Sequence, residues 1–286
     1  MRVFILLFYI SICHALFQAR AQAQLLDNNF LMQVKQIDEF IDRFNNSPNA
    51  YRNYALISKN SKAKIDNLSK TLYGSESADR ISMVLLLFDF DIVEKIGRDK
   101  VKKFVLQVTD STSGHELNFY EGNWYAVVTV EVLYKGAKQK VDLVFKNYVP
   151  EETKPMSFWS AVAGRAEFLR PKPNQNQRIG INPGSHGVNF VPLISALENS
   201  RNFSNVLSPD FAYDDISLIA YAANEGYLTF QHVREVKYHF LQVDNWVFTV
   251  EYFNRNDANS GWLISNLIES NPAQKKVYEQ KILGIR

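Results

Sequence analysis

The first part of the chain has the periodicity of helices. Residues 30–46 carry apolar side chains three or four positions apart, which predicts a helix that ends in an Asn-Asn-Ser-Pro stretch. A second helix is predicted within 55–73, because Gly74 follows where a C-terminal cap belongs. The apolar run 78–91 is typical of either a buried helix or a buried strand.

The period then changes to two, which is typical of strands. Trp159 leads the last of these runs, and Gly136 supplies a hairpin turn between two of them. The charged run 94–103 is expected to be a solvated turn that leads into the first strand. The strands are predicted at 101–110, 123–134, 138–149 and 158–169.

The composition changes at 170–185, where prolines, glycines and amides replace the apolar periodicity. We interpret 171–185 as a linker, with a long loop inside one domain or a loop over a pocket as the alternatives. The order of elements then repeats. Helices are predicted at 188–199 and 213–224, strands at 233–243, 245–253 and 261–269, and a terminal helix at 271–283 with Asn271 as its cap.

Each half therefore has helices first and an antiparallel meander afterwards, which is an α+β pattern. The stretches "NWYAVVTVEV" at 123–132 and "NWVFTVEYF" at 245–253 suggest that the halves are related. One register aligns Trp124 with Trp246. The other register, which we favour, aligns Trp159 with Trp262 and makes the shared Asn-Trp pair a coincidence.

This order resembles the NTF2-like superfamily, whose cystatin-like α+β cone is a curved sheet wrapped by helices. The resemblance rests on the helix 30–46, the hairpin 126–148 and the closing strands "FWSAVAGRA" and "GWLISNLIE". It implies two tandem NTF2-like domains, 24–170 and 186–286, each a curved antiparallel sheet wrapped by N-terminal helices. The superfamily includes isomerases, dehydratases, binding modules and assembly factors, so the resemblance does not specify an activity.

Residues 1–23 have the pattern of a secretory signal peptide, with an early Arg2, an apolar run and small residues at a cleavage spacing. The apolar run is shorter than a membrane span needs, and an uncleaved anchor is the alternative. Cleavage would leave 30 basic and 30 acidic residues and remove Cys13, the only cysteine. A neutral chain without cysteine lacks the basic surface of a nucleic-acid-binding protein and forms no disulfide. We expect a secreted protein of the bacterial periplasm or extracellular space.

The histidines and acidic residues offer limited chemistry. None of the four histidines after residue 23 has close ligand spacing, so we expect no metal and no cofactor. His239 is interpreted as a half-exposed strand residue, with a general base as the alternative. Glu131 is expected on the outer, solvated face of its strand; on a concave face, an apolar pocket would raise its pKa instead.

The four tryptophans are expected to anchor the core, with an aromatic platform for a sugar or another flat ligand as the alternative. No residue is assigned a catalytic role. The candidate ligand-binding residues are Trp124, Tyr125, Glu131, Trp159, Tyr238, His239, Trp246 and Trp262.

These patterns favour a secreted, non-enzymatic protein that binds a small ligand or a cell-envelope protein, without nucleic acid and without a membrane span after cleavage. One alternative is an acid/base enzyme that uses Glu131 or His239. Another is a structural subunit of an envelope assembly, which gains weight if residues 1–23 are retained. The oligomeric state is not indicated by the sequence.

The mass of the exported protein tests the signal-peptide prediction. Cleavage after Ala21 or Ala23 should produce a chain that lacks Cys13. Intact-mass spectrometry of protein recovered from the periplasm or the medium measures this directly. A mass that still includes Met1–Phe17 would contradict the prediction and support a retained anchor.

Overall fold

The computed structural model describes residues 35–47, 59–73, 79–110, 112, 115–148, 158–172, 203–208, 210–256 and 259–285. The predicted signal peptide, nearly all of the predicted linker and the predicted helix 188–199 lie outside these residues. The helices are α1 (Ile37–Phe44), α2 (Lys59–Tyr73), α3 (Asp79–Leu85), α4 (Val93–Ile96), α5 (Arg98–Thr109), α6 (Asp215–Asn224) and α7 (Pro272–Tyr278). The strands are β1 (Trp124–Tyr134), β2 (Ala137–Tyr148), β3 (Phe158–Arg165), β4 (Leu228–Phe240), β5 (Trp246–Phe253) and β6 (Gly261–Glu269).

The α+β class is confirmed, but the described strands form a single antiparallel sheet in the order β3-β2-β1-β4-β5-β6. Each half of the chain contributes a three-stranded meander that follows helices in the sequence. The two meanders join through β1 and β4. The structure therefore does not confirm two tandem NTF2-like domains, each with a curved sheet of its own, because the described strands belong to one sheet.

Strand edges provide the physical reason for this joining. A separate three-stranded meander leaves unpaired N–H and C=O groups along both of its edges, and pairing β1 with β4 satisfies one edge of each meander. The amide of Leu241 donates to the carbonyl of Asn123 at 2.8 Å, and the amide of Lys135 donates to Tyr227 at 3.1 Å. Alternation along a strand indicates the buried face but not the partner of each edge, so the sequence pattern left the joining open.

The repeated Asn-Trp pairs share a local structure. Asn123 and Asn245 both have a positive φ, of 63° and 61°, and each directly precedes a strand. Their carbonyls accept backbone hydrogen bonds of 2.8 Å from Leu241 and 2.7 Å from Ser270. Asparagine tolerates left-handed backbone better than most residues. The repeated Asn-Trp pair therefore has a local structural cause, because in both places the asparagine forms the turn that precedes a strand. This holds for either register that relates the two halves.

The prediction of a strand at 101–110 is wrong, because this segment belongs to α5. Gly97, with a φ of 101°, separates α5 from α4, so the charged run 94–103 is largely helical and not an extended turn. The apolar residues of α5 have the helical spacing i, i+3, i+4, i+7, which the alternating interpretation overlooked. Its buried residues are Val101, Phe104, Val105 and Val108.

Two of the predicted local features, the Gly136 hairpin turn and the Asn271 cap, are confirmed in detail, whereas the predicted cap at Gly74 lies outside the described residues. Lys135 and Gly136 both have a positive φ, of 50° and 82°, which is the pattern of a two-residue type I′ hairpin. Asn271 caps α7, and Pro272 is its first residue. The Asn271 side chain accepts from the Gln274 amide, and the Gln274 side chain accepts from the Asn271 amide, both at 2.9 Å. This reciprocal pair is a capping box.

The described residues fall into two compact units, each of which draws on both halves of the sequence. The larger unit comprises the described residues of Met1–Val127, Lys146–Ser160 and Val236–Ile282. Helices cover one sheet face of this unit through an aromatic core. Phe44 of α1 lies 5.9 Å from Phe248 of β5, and Phe104 of α5 lies 5.6 Å from the same ring. On the opposite face, α7 packs over His239.

The smaller unit comprises the described residues of Val128–Phe145, Ala161–Glu235 and Leu283–Arg286. Its core contains Val132, Val141 and Ile219, and α6 packs closely on β3. A Cβ at Gly164 would lie only 2.8 Å from the terminal methyl group of Ile219, so that side chain would have to shift to accommodate any other residue. Within the described ranges, no helix has both the length and the apolar character that a membrane span requires.

Candidate functional site

The larger unit contains a cavity of about 380 Å³ beside α2, the segment from residue 90 to the start of α5, and the turn between β5 and β6. Polar and charged side chains dominate the part of its lining that the structure describes, which also includes two apolar residues. The described residues that line it are Asn67, Leu68, Thr71, Phe90, Asp91, Glu94, Arg98, Arg255 and Asn259.

A buried carboxylate lies directly behind this cavity. The side chain of Asp89 is 2% exposed, and its Oδ1 accepts from Arg255 Nη1 at 2.8 Å and from the Asp91 amide at 3.1 Å. Arg255 also reaches the carboxylate of Asp91 at 3.2 Å and lies over the ring of Phe253, with its guanidinium carbon 4.6 Å from the ring centre. The guanidinium is therefore fixed from several directions.

Asn259 connects the same two chain segments. Its side-chain oxygen accepts from the Phe90 amide at 3.0 Å and from Arg255 at 3.1 Å. Its Nδ2 donates to the carbonyl of Phe88 at 2.7 Å. Because asparagine can donate and accept at once, one side chain satisfies backbone groups of both polarities. The turn before β6 is thereby joined to residues 88–90.

Backbone pairing brings these segments together in the first place. The amide of Ile264 in β6 donates to Leu87 at 2.7 Å, and the amide of Asp89 donates to Ile264 at 3.1 Å. This short parallel bridge covers part of the β6 edge. It also places Asp89 and Phe90 near the N-terminal end of β6, beside the turn that contains Arg255.

The charged groups of the lining are arranged in pairs. Arg98 donates through Nε to Glu94 at 2.7 Å, and this contact raises the pKa of Arg98. Arg255 pairs with Asp91, whose side chain is 78% exposed. Among the described residues, the lining therefore carries two guanidinium groups and two carboxylates, with the buried Asp89 as an additional negative charge behind Arg255.

This arrangement is suited to binding by hydrogen bonds. Guanidinium groups donate, carboxylates accept, and amides do both. Among the described residues, no group of three or more histidine, cysteine, aspartate or glutamate side chains is placed to hold a metal ion.

Four of the sequence-predicted residues form one aromatic group in the larger unit. The Trp124 ring lies 4.8 Å from Trp159 and 5.9 Å from Tyr238, and Tyr238 lies 4.9 Å from Trp262. Trp124 is fully buried, whereas Trp159 is 37% exposed. Two of the four ring pairs in this group meet at steep angles of 72° and 61°, and the other two meet at 38° and 37°, so the rings pack against each other in mixed orientations.

Trp246 lies apart from this group, in the core. It is fully buried, donates from its indole N–H to Gln107 Oε1 at 2.8 Å, and meets the Phe104 ring edge to face at 5.5 Å. None of the eight sequence-predicted residues is among the described residues that line the cavity. Their role in ligand binding stays a prediction.

Tyr125 and His239 lie beneath the C-terminal end of the chain. Tyr125 donates to the carboxylate of Glu279 at 2.6 Å, and burial together with this bond raises the pKa of Tyr125. His239 Nδ1 lies 2.8 Å from the hydroxyl of Tyr278. The expectation of a half-exposed His239 is wrong, because α7 covers the ring and leaves it 8% exposed.

Glu131 lies in the smaller unit, in an environment that neither sequence interpretation anticipated. Its side chain is 10% exposed and is therefore not solvated. It is also not in an apolar pocket, because it pairs with Arg234 and lies 3.3 Å from the ammonium of Lys138. The hydrogen bond from Arg234 lowers the pKa of Glu131 and opposes the effect of burial, so the carboxylate is held in its ionised form.

The sequence contained one unused signal for the cavity. In "LLLFDFD" at 85–91, two aspartates directly follow a strongly apolar run. A carboxylate in such a run either leaves the core or requires a cationic partner. The partner, Arg255, is 166 positions away, and no local pattern indicates it.

No protein-family model, no curated protein and no solved structure matches this chain. The interpretation of the site therefore depends on its own residues.

The acid sensitivity of folding tests the account of His239. Burial, with a smaller effect of Lys237, lowers the pKa of His239 from 6.5 to about 4 in the folded protein, although Glu251 acts in the opposite direction. Between these values the unfolded chain binds the proton more readily. The contribution of neutral His239 to the free energy of unfolding is therefore fully present above pH 6.5 and is lost as the pH falls towards 4. For a pKa shift of this size the loss is roughly 3 kcal/mol.

Urea unfolding at pH 7.5 and pH 4.5 measures this loss, and His239→Gln should reduce the difference between the two pH values. The matched control, His232→Gln, removes a half-exposed histidine and should keep the wild-type difference. Equal pH dependence in the wild type and His239→Gln would show that His239 is not the acid-sensitive group.

Proposed function

We propose that the protein binds a small polar ligand in the cavity beside Arg255. The observation that carries this proposal is a concave space of about 380 Å³ whose walls include several hydrogen-bonding side chains. This volume lies within the range of small-molecule sites, roughly 300–1,000 Å³.

The fixed position of Arg255 supports the proposal. A binding site gains affinity when its polar groups are already ordered before the ligand arrives, since less conformational freedom is then lost on binding. Asp89 and Asn259 hold the guanidinium by hydrogen bonds of 2.8 and 3.1 Å. The side of the cavity formed by Arg255 is thus ordered without a ligand.

We further propose that the protein is secreted, to the bacterial periplasm or the extracellular space, after removal of residues 1–23. The signal-peptide pattern supports this location. We also propose that the single sheet is related by ancestry to the sheet of the NTF2-like superfamily, which the sequence resembles.

A small ligand is favoured over a cell-envelope protein, because a concave cavity recognises a small molecule more readily than a protein surface. The acid/base alternative has less support, since neither Glu131 nor His239 is among the described residues that line the cavity. The carboxylate of Glu131 pairs with Arg234, and the imidazole of His239 lies against the hydroxyl of Tyr278.

Binding can be measured by nuclear magnetic resonance on uniformly labelled protein. The panel contains free amino acids, small dicarboxylates and neutral monosaccharides at millimolar concentration. We expect at least one class to shift the amide signals of Phe90, Asp91 and Asn259 in a saturable manner. Arg98→Gln should weaken that binding about tenfold.

Lys100→Gln is the matched control, because it removes an exposed positive charge from the same helix without altering the described lining. It should bind the same compound with unchanged affinity. The proposal fails if no class shifts these signals, or if Arg98→Gln and Lys100→Gln bind equally well.

A further inference from the structure

We propose that the ligand of this cavity is a neutral, hydroxyl-rich molecule of roughly sugar size. This inference rests on the proposed binding function and adds the chemical class of the ligand. It depends on how the charges of the lining are already paired.

Each charged side chain of the described lining has an opposite charge beside it. Glu94 lies 2.6 Å from Arg98 Nη2, and Asp91 lies 3.2 Å from Arg255 Nη2. The described lining is therefore balanced, and the buried Asp89, 2.8 Å from Arg255, gives the described residues of the site one excess negative charge. No positive charge of the described lining remains to be neutralised by a ligand.

An anionic ligand is disfavoured by this arrangement. To reach Arg255 it must approach Asp89 and Asp91, both of which already contact that guanidinium. Like charges a few ångströms apart repel, and the repulsion is least screened where the groups are buried, as Asp89 is. An anion would have to displace a carboxylate to gain a guanidinium.

A cationic ligand meets the converse difficulty. The accessible carboxylates, Asp91 and Glu94, are each within hydrogen-bonding or ion-pair distance of an arginine. A ligand cation would compete with that arginine and would lie close to a second positive charge. Exposed ion pairs are worth about 1 kcal/mol or less, so exchanging one for another gains little.

Hydroxyl groups avoid both difficulties. A hydroxyl donates one hydrogen bond and accepts others, so neighbouring hydroxyls can bind a carboxylate and a guanidinium without separating the pair. Asp91, Glu94 and Arg98 are more than half exposed and accessible for such bonds. Phe90 and Leu68 supply apolar surface for the C–H groups of a sugar ring. The volume suits roughly one or two such rings.

Three sugars with the same ring and different charge test the inference. Glucose is neutral, glucuronate is anionic and glucosamine is cationic at pH 6.5; galactose and N-acetylglucosamine extend the neutral set. Titration of the full-length mature protein, followed at the amides of Phe90 and Asp91, measures each affinity. At least one neutral sugar should bind about tenfold more tightly than either charged sugar. Its affinity should change less than about twofold between 20 and 300 mM salt.

A charge variant tests whether the preference between neutral and charged sugars arises in the cavity. Asp91→Asn removes a negative charge from the lining, so it should move the preference towards glucuronate by about threefold or more relative to the neutral sugar. Asp99→Asn is the matched control on the exposed start of α5, outside the described lining, and should leave the preference unchanged.

The outcomes separate the inference from the function on which it rests. Tighter binding of glucuronate, glucosamine or a charged amino acid than of any neutral sugar would overturn the inference and leave small-ligand binding intact. A preference between glucuronate and the neutral sugar that Asp91→Asn leaves unchanged would also overturn it, because the discrimination would then not arise in the cavity. No saturable shift from any compound, charged or neutral, would refute the proposed function itself.

Discussion

The ion pair between Asp89 and Arg255 is the interaction on which the structure around the cavity depends. Asp89 is buried at the end of the parallel bridge to β6, and Arg255 reaches it at 2.8 Å from the turn after β5. Removing one member of a buried pair leaves the other charge uncompensated, which costs about 3–5 kcal/mol. Since the Arg255 side chain is 26% exposed, we expect a cost at the lower end of that range. The ion pair therefore joins the segment that follows α3 to the turn between β5 and β6.

The same contacts that complete the fold also shape the candidate site. Asn259 satisfies the backbone of Phe88 and Phe90, and in doing so it fixes the turn that presents Arg255 to the cavity. A ligand would therefore encounter groups that are ordered for structural reasons. This explains why a binding role can be inferred from the geometry without a recognisable motif. The described lining is electrically balanced because Arg98 pairs with Glu94 and Arg255 pairs with Asp91 in the folded protein.

Local sequence patterns predicted the elements of this fold better than their assembly. Alternation located β1, β2, β5 and β6, and turn chemistry identified Gly136 and the cap of α7, because these features depend on neighbouring residues. The α5 segment was misassigned where helical and alternating spacings compete over a short run. The β1–β4 pairing and the contact of Asp89 with Arg255 join residues far apart in the sequence, and periodicity contains no information about such partners.

A double-mutant cycle on Asp89 and Arg255 tests the central claim most directly. The free energies of unfolding of the wild type, Asp89→Asn, Arg255→Gln and the double variant are compared by urea denaturation at neutral pH. We predict a coupling energy of about 2 kcal/mol or more, with the double variant much less destabilised than the sum of the single changes. A coupling below about 0.5 kcal/mol would show that the two residues act independently and would contradict the account.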